Sequence, residues 1–200
     1  MPKRLDLLKA VYSTALKEGF SGTTAISREF SEPASDVMTA LEDAAKEGLL
    51  TLRGGEVSLT EKGRSQLRVV MIGGAFEIIH PGHIHTMTDA KKLGNTLVVV
   101  VATDQSVLKN KGREPVTTQE WRVNLVSALR MVDAAIPGGQ GSIYDIMQKI
   151  RPEVVALGYD QKHDPNEIER EAKRRGLEVS VVRLTTPMPD IKTSRIVSSL

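Results

Sequence analysis

The sequence predicts an α/β chain: an open parallel sheet covered by helices over residues 68–200, preceded by a small helical domain with a hairpin over residues 1–67. Three observations carry this prediction. From about residue 69, short apolar runs alternate with amphipathic segments. Val98-Val99-Val100-Val101 is a β-branched run suited to a strand buried on both faces, as in parallel sheets. Before residue 68 the apolar positions recur at helical spacing, and only two short runs read as strands.

In the leading segment, Leu5, Leu8, Val11, Tyr12, Ala15 and Leu16 share one helix face that stops at Gly19-Phe20-Ser21-Gly22. Thr23 or Thr24 caps a short second helix carrying Ile26 and Phe30, and Ser31-Glu32-Pro33 opens a third with Val37, Leu41, Ala44 and Ala45 inward. Leu49–Leu52 and Val57–Leu59 form a hairpin about Arg53-Gly54-Gly55-Glu56, and Thr60 caps a fourth helix. That order is a winged-helix arrangement. In the larger segment strands are expected at 69–73, 96–102, 132–136, 153–158 and 178–184. Helices are expected at 82–93, 118–130, 141–150, 164–175 and from about 193. Residues 103–117 and 185–192 read as long loops after strand carboxyl ends, where open α/β sheets bind ligands.

Composition narrows the function. With 40% hydrophobic and 26% charged residues the 200-residue chain has the make-up of a soluble globular protein. The apolar runs are strand-sized, so neither a signal peptide nor a membrane span is expected, and a cytoplasmic enzyme fits. No cysteine is present, which removes disulfides, thiolate metal sites and cysteine nucleophiles. Net charge is +2, and residues 1–68 carry ten basic and ten acidic side chains. Bulk electrostatics therefore give little support to DNA binding by the leading domain.

The densest chemistry lies in Gly73-Gly74-Ala75-Phe76-Glu77-Ile78-Ile79-His80-Pro81-Gly82-His83. The glycines let a strand turn sharply and admit a ligand, and a helix begins beside the two histidines. Helix N-termini offer unpaired amides and a positive dipole end to anionic oxygens. His80 and His83 can hydrogen-bond a phosphate there and stabilise charge that builds in a transition state. A metal site is the competing reading of His-x-x-His, but further ligands at suitable spacing are not evident, so no metal ligand is assigned. His85 reads as a wall or structural residue.

Other candidates gather at the same predicted sheet edge. Lys109, Lys111 and Arg113 flank Gly112 after the second strand of the sheet, where they can close over polyphosphate; a solvated basic loop is the alternative. Arg122 can order that loop or meet phosphate, whereas Trp121 reads as packing. Asp104 can orient a nucleotide hydroxyl or cap the loop. Gly158 admits a ligand, with Tyr159, Asp160 and Gln161 offering polar recognition. Thr193 or Ser194 caps a final helix whose amides can accept a β- or γ-phosphate, beside Lys192 and Arg195.

The stretch from Gly74 to Leu93 resembles the first motif of the cytidylyltransferase-like nucleotidyltransferases: Gly74-Ala75-Phe76-Glu77, two residues, then His80-Pro81-Gly82-His83 and a helix. Glu77 stands where Asp is more common. The resemblance covers roughly residues 69–200. It implies a Rossmann-like nucleotidyltransferase domain in which the histidine pair contacts the triphosphate while an acceptor phosphate displaces pyrophosphate from the α-phosphorus. By the same resemblance Gly74, Ala75, Phe76, Asp104, Lys109, Arg113, Arg122, Gly158, Asp160, Thr193 and Ser194 bind nucleotide. Lys111 joins His80 and His83 in catalysis, and Tyr159 and Gln161 meet the second substrate. Mg²⁺ or another divalent cation arrives with the nucleotide. Gly158-Tyr159-Asp160-Gln161, Lys111-Gly112-Arg113-Glu114-Pro115 and Lys192-Thr193-Ser194-Arg195-Ile196 resemble archaeal FAD synthases, which implies AMP transfer from ATP to FMN. Cytidylylation by CTP of glycerol phosphate or another small alkyl phosphate is the second reading, and Thr185-Thr186 stands where that group has Arg-Thr. A nucleotide-sensing regulator that binds DNA is the third. A homodimer is possible.

Overall fold

The computed structural model describes residues 1–185, which fall in two units, one of Met1–Arg68 and one from Val69 onward. The first holds α1 (Arg4–Glu18), α2 (Thr23–Arg28), α3 (Ala34–Lys46), β1 (Leu50–Arg53), β2 (Glu56–Leu59) and α4 (Glu61–Arg64). β1 and β2 pair antiparallel, with Leu50 opposite Leu59 and Arg53 opposite Glu56. Leu7, Leu8, Val11, Ile26, Val37, Leu41 and Val57 are among its buried apolar residues. Thr60 fastens the end of the hairpin to α4: its hydroxyl donates to Gly48 O and accepts from Gly63 N. On α3 the exposed residues include Glu42 and Asp43, and Lys46 is already paired with Asp43 at 2.9 Å.

The second unit holds β3 (Val69–Gly74), α5 (Pro81–Lys91), β4 (Thr96–Val101), α6 (Asp104–Lys111), α7 (Gln119–Ser127), β5 (Ala134–Pro137), α8 (Ile143–Ile150), β6 (Val154–Leu157), α9 (Pro165–Arg174) and β7 (Ser180–Arg183). Its strands form one parallel sheet in the order β5-β4-β3-β6-β7. The chain runs outward from β3 on one side and then returns to the other, so the strand order reverses at β3. That reversal opens a crevice at the carboxyl ends of β3 and β6. All six residues of β4 are buried, as the valine run predicts. Val70, Ile72, Phe76, Met87, Leu97, Val99 and Val126 lie in one apolar cluster of this unit. Asp133 ties the sheet's amino edge together by accepting from the Leu97 amide and the Lys91 ammonium.

One expected loop is largely helix. Residues 104–111 form α6, because the Thr103 side chain accepts from the Ser106 amide and Gly112, in the left-handed region, ends the helix. With Val107 its sole buried residue, α6 shows little of the apolar periodicity by which a helix is read from sequence. The expected last helix, from about 193, lies outside the described residues.

Packing in the first unit makes one position intolerant of any side chain. A Cβ at Gly63 would lie 2.0 Å from Leu49 O, a backbone atom that also accepts from the Thr60 amide. Gly63→Ala should therefore destabilise this unit by about 1–3 kcal/mol. Hydrogen exchange should show faster amides in residues 1–68 and unchanged protection in the parallel sheet.

Candidate active site

The turn after β3 is built around a ring folded back on the strand end. Phe76 has φ 51°, an uncommon conformation for a residue with a side chain, and its ring is buried. A Cβ at Gly74 would lie 2.8 Å from that ring. Gly74 thus makes room for Phe76, rather than only for a ligand as the sequence suggests. The Phe76 ring in turn meets His83 edge-on, with centroids 5.2 Å apart.

His80 is the N-cap residue of α5, with Pro81 in the first turn, and His83 lies one turn on; the His83 amide donates to His80 O at 2.9 Å. The two imidazoles stack with centroids 3.8 Å apart and planes inclined by 23°. Two cationic rings at that spacing would repel by about 4 kcal/mol at an effective dielectric of 20. Burial lowers the pKa of both: His83 is pushed down to about 4 by desolvation and by the neighbouring His80 and Lys111, with the Ile78 backbone opposing in part, and His80 is lowered by desolvation. Both rings are therefore neutral at pH 7, each with one N–H to donate and one nitrogen to accept. Nδ1 of His80 and Nδ1 of His83 are buried and make no hydrogen bond.

Glu77 explains why the motif acid matters. Its carboxylate has no exposed surface, and it receives Lys111, both terminal nitrogens of Arg113 and the Val116 amide. Burial alone would raise its pKa, but the hydrogen bonds from Arg113 and Lys111 outweigh burial and hold it near 2. The two cations expected to face polyphosphate are thus held by Glu77, which fixes the strap of residues 111–116 beside the histidine turn. Lys109, on the last turn of α6, is exposed and is not part of that cluster.

Three candidates for ligand contact, Arg122, Asp104 and Gln161, make internal ties. The Arg122 side chain is fully buried and donates to Thr117 O, Ala75 O, Ala102 O and the Asp104 carboxylate. Four of its five N–H donors go to the turn after β3, the end of β4, Thr117 and Asp104, and the side chain has no exposed surface to offer phosphate. Asp104 is correspondingly Arg122's partner at the start of α6 through one carboxylate oxygen, while its side chain stays 41% exposed. Gln161 accepts from the Gly158 amide at 2.9 Å and donates to Gly73 O at 2.8 Å, joining the carboxyl ends of β6 and β3 across the crevice. One bond on each side of its amide ties it into the frame of the crevice. A Cβ at Gly158 would meet Asp160 and Gln161 only at ordinary contact distance, so packing within the protein does not by itself demand glycine there.

The remaining candidates divide by position. Ala75 contributes its carbonyl to Arg122, while Tyr159 and Asp160 are exposed at the β6 end of the crevice. His85 lies 3.2 Å from Asp89 and lines a cavity together with His80, as a wall residue would. Trp121, expected to pack, is instead 68% exposed. Thr193 and Ser194, with Lys192 and Arg195, lie outside the described residues. Sequence reasoning missed Gln119, whose amide donates to Val101 O and Gly138 O and so braces the ends of β4 and β5; a lone glutamine at a helix start carries no motif by which to find it.

The Glu77 cluster sets a pH dependence. A depression from 4.5 to about 2 corresponds to roughly 3 kcal/mol of stability, present above pH 4.5 and lost as pH falls toward 2. Glu77→Gln should lose about that amount at pH 7. Urea unfolding at a series of pH values should show the gap between the two proteins closing below pH 4.5.

Comparison with known proteins gives the same answer as the geometry. The family model described as cytidylyltransferase-like matches residues 71–199. The FAD synthase of Pyrococcus horikoshii is 41% identical over 134 residues, covering 66% of this chain and 90% of that protein. The FAD synthase of Aciduliprofundum boonei is 44% identical over 115 residues, covering 58% of this chain and 76% of that protein. A crystal structure from Thermoplasma volcanium, described as a lipopolysaccharide core biosynthesis protein, superposes with a TM-score of 0.57 at 40% identity, covering 60% of this chain and 98% of its own. A parallel sheet whose order reverses at β3, a buried-ring turn and a stacked histidine pair at a helix start therefore belong to a member of the cytidylyltransferase-like family.

Proposed function

We propose that this chain is an FAD synthase that transfers AMP from ATP to FMN and releases pyrophosphate. The observation that carries the reading is the 41% identity to an FAD synthase across nine-tenths of that enzyme's length. An FMN phosphate oxygen attacks the α-phosphorus, the bond from that phosphorus to the bridging oxygen breaks, and pyrophosphate leaves with the electron pair. The acceptor phosphate is already ionised at neutral pH, so the site needs positioning and charge stabilisation more than a base.

His80 and His83 are assigned the α-phosphate. As neutral donors beside the α5 N-terminus they gain strength as charge accumulates on the phosphoryl oxygens, and their stacked placement at that helix start supports the assignment. Lys111 and Arg113 are assigned the polyphosphate, reaching it by leaving or sharing Glu77. Asp160 is assigned the nucleoside, and Tyr159, expected to meet the second substrate, is reassigned with it because the two adjacent side chains are exposed together at the β6 end. Thr193 and Ser194 are kept as phosphate contacts on the family resemblance. Among the described residues no group of three or more His, Asp or Glu side chains gathers to hold a metal ion. A protein-held metal seat does not fit them; Mg²⁺ is read as part of the nucleotide substrate, chelated by its phosphates. We read the first unit as a winged-helix module from its three helices and hairpin. The acidic exposed residues of α3, with Lys46 paired to Asp43, favour a role other than gripping DNA phosphates. No helix among the described residues is long and apolar enough to cross a membrane.

Pyrophosphate release should be fastest with ATP and FMN, and His80→Ala should lower kcat by about 10²–10³-fold. A preference for CTP with glycerol phosphate would overturn the choice of substrates and leave the family membership intact.

A further inference from the structure

Trp121 is the chain's one tryptophan, and its indole stands in solvent at the start of α7. Large aromatic side chains gain most from contact, so one left uncovered beside a reaction site marks a place where a ring can stack. It borders a cavity of about 290 Å³ together with Asp104, Glu114, Pro115, Val116 and Thr117.

Three ties connect the wall of this cavity to the turn that carries the histidine motif. The Val116 amide, in its wall, donates to Glu77 within the histidine motif. Thr117 O accepts from Arg122, which also bonds Ala75 of the turn after β3. Asp104, on another side of the cavity, accepts from that same guanidinium at 2.6 Å. The cavity therefore lies on the β4 side of β3, whereas Gly158, Tyr159 and Asp160 lie on the β6 side. With the nucleoside assigned to the β6 side, the β4 side is left for the second substrate.

We propose that the Trp121 cavity receives the planar ring of the acceptor, a flavin in the reading above, on which this inference rests. Indole, Pro115 and Val116 offer apolar surface to a flat heteroaromatic ring, and the Asp104 carboxylate offers an acceptor to a ring N–H. Charge orients the ligand. Asp104 and Glu114 repel the acceptor's phosphate from the cavity, so the ring enters and the phosphate stays toward the histidine pair and the strap cations.

Steady-state kinetics of FAD formation test this in the full-length protein, comparing wild type with Trp121→Ala and Trp121→Phe. Because the side chain is exposed, neither change removes core packing. Trp121→Ala should raise KM for FMN about tenfold, as expected for loss of one stacked ring, with KM for ATP within about twofold of wild type. Trp121→Phe should recover most of the loss. FMN titrated into the wild type should show a perturbed visible flavin band that Trp121→Ala abolishes. Wild-type FAD synthesis with unchanged KM for FMN in Trp121→Ala overturns the subsite alone. Absence of FAD synthesis by the wild type overturns both the functional reading and the subsite built on it.

Discussion

A carboxylate sealed from water holds this site together. Glu77 sits where desolvation of a lone charge would cost several kcal/mol, and it is ionised only because Lys111, Arg113 and the Val116 amide converge on it. The strap of residues 111–116 is consequently fixed against the turn that carries the histidines. The extra methylene of Glu over the commoner Asp lengthens the stem by which the carboxylate reaches the strap. The same arrangement stores cationic charge beside the reaction centre in neutralised form, where a polyphosphate can compete for it.

Arg122 and Gln161 do for the backbone what Glu77 does for the strap. A buried guanidinium joins the ends of β3 and β4 to the strap, and an amide joins the ends of β3 and β6. Both sit where the sheet changes direction, so the strand ends that frame the crevice are tied by side chains as well as by the strand ladder. The histidines can then stack at 3.8 Å as neutral donors held in one orientation, the preorganisation that makes hydrogen bonds effective in a transition state.

The parallel sheet was readable because Val98–Val101 and the apolar run before Gly73 have no other plausible home, and each strand in the second unit falls within one or two residues of expectation. The histidine pair was readable because its spacing brackets a helix start. What resisted reading was the fate of charges. Arg122 and Gln161 look like ligand contacts in sequence, since polar residues at a sheet edge do the same work in either role; only the count of internal acceptors distinguishes them. Helix α6 escaped because it buries Val107 alone and depends on the Thr103 cap and Gly112, and Trp121 escaped because nothing local tells whether an indole faces core or solvent.

The central claim is that two neutral, stacked imidazoles await the nucleotide's phosphate. Nitrogen-15 NMR of the His80 and His83 side chains across pH, with and without a non-hydrolysable ATP analogue, measures this directly. Both rings should be uncharged at pH 7 in the free protein, His83 with a midpoint near pH 4, and both should shift when the analogue binds. Titration of both near the ordinary pH 6.5, with no response to the analogue, would contradict the account.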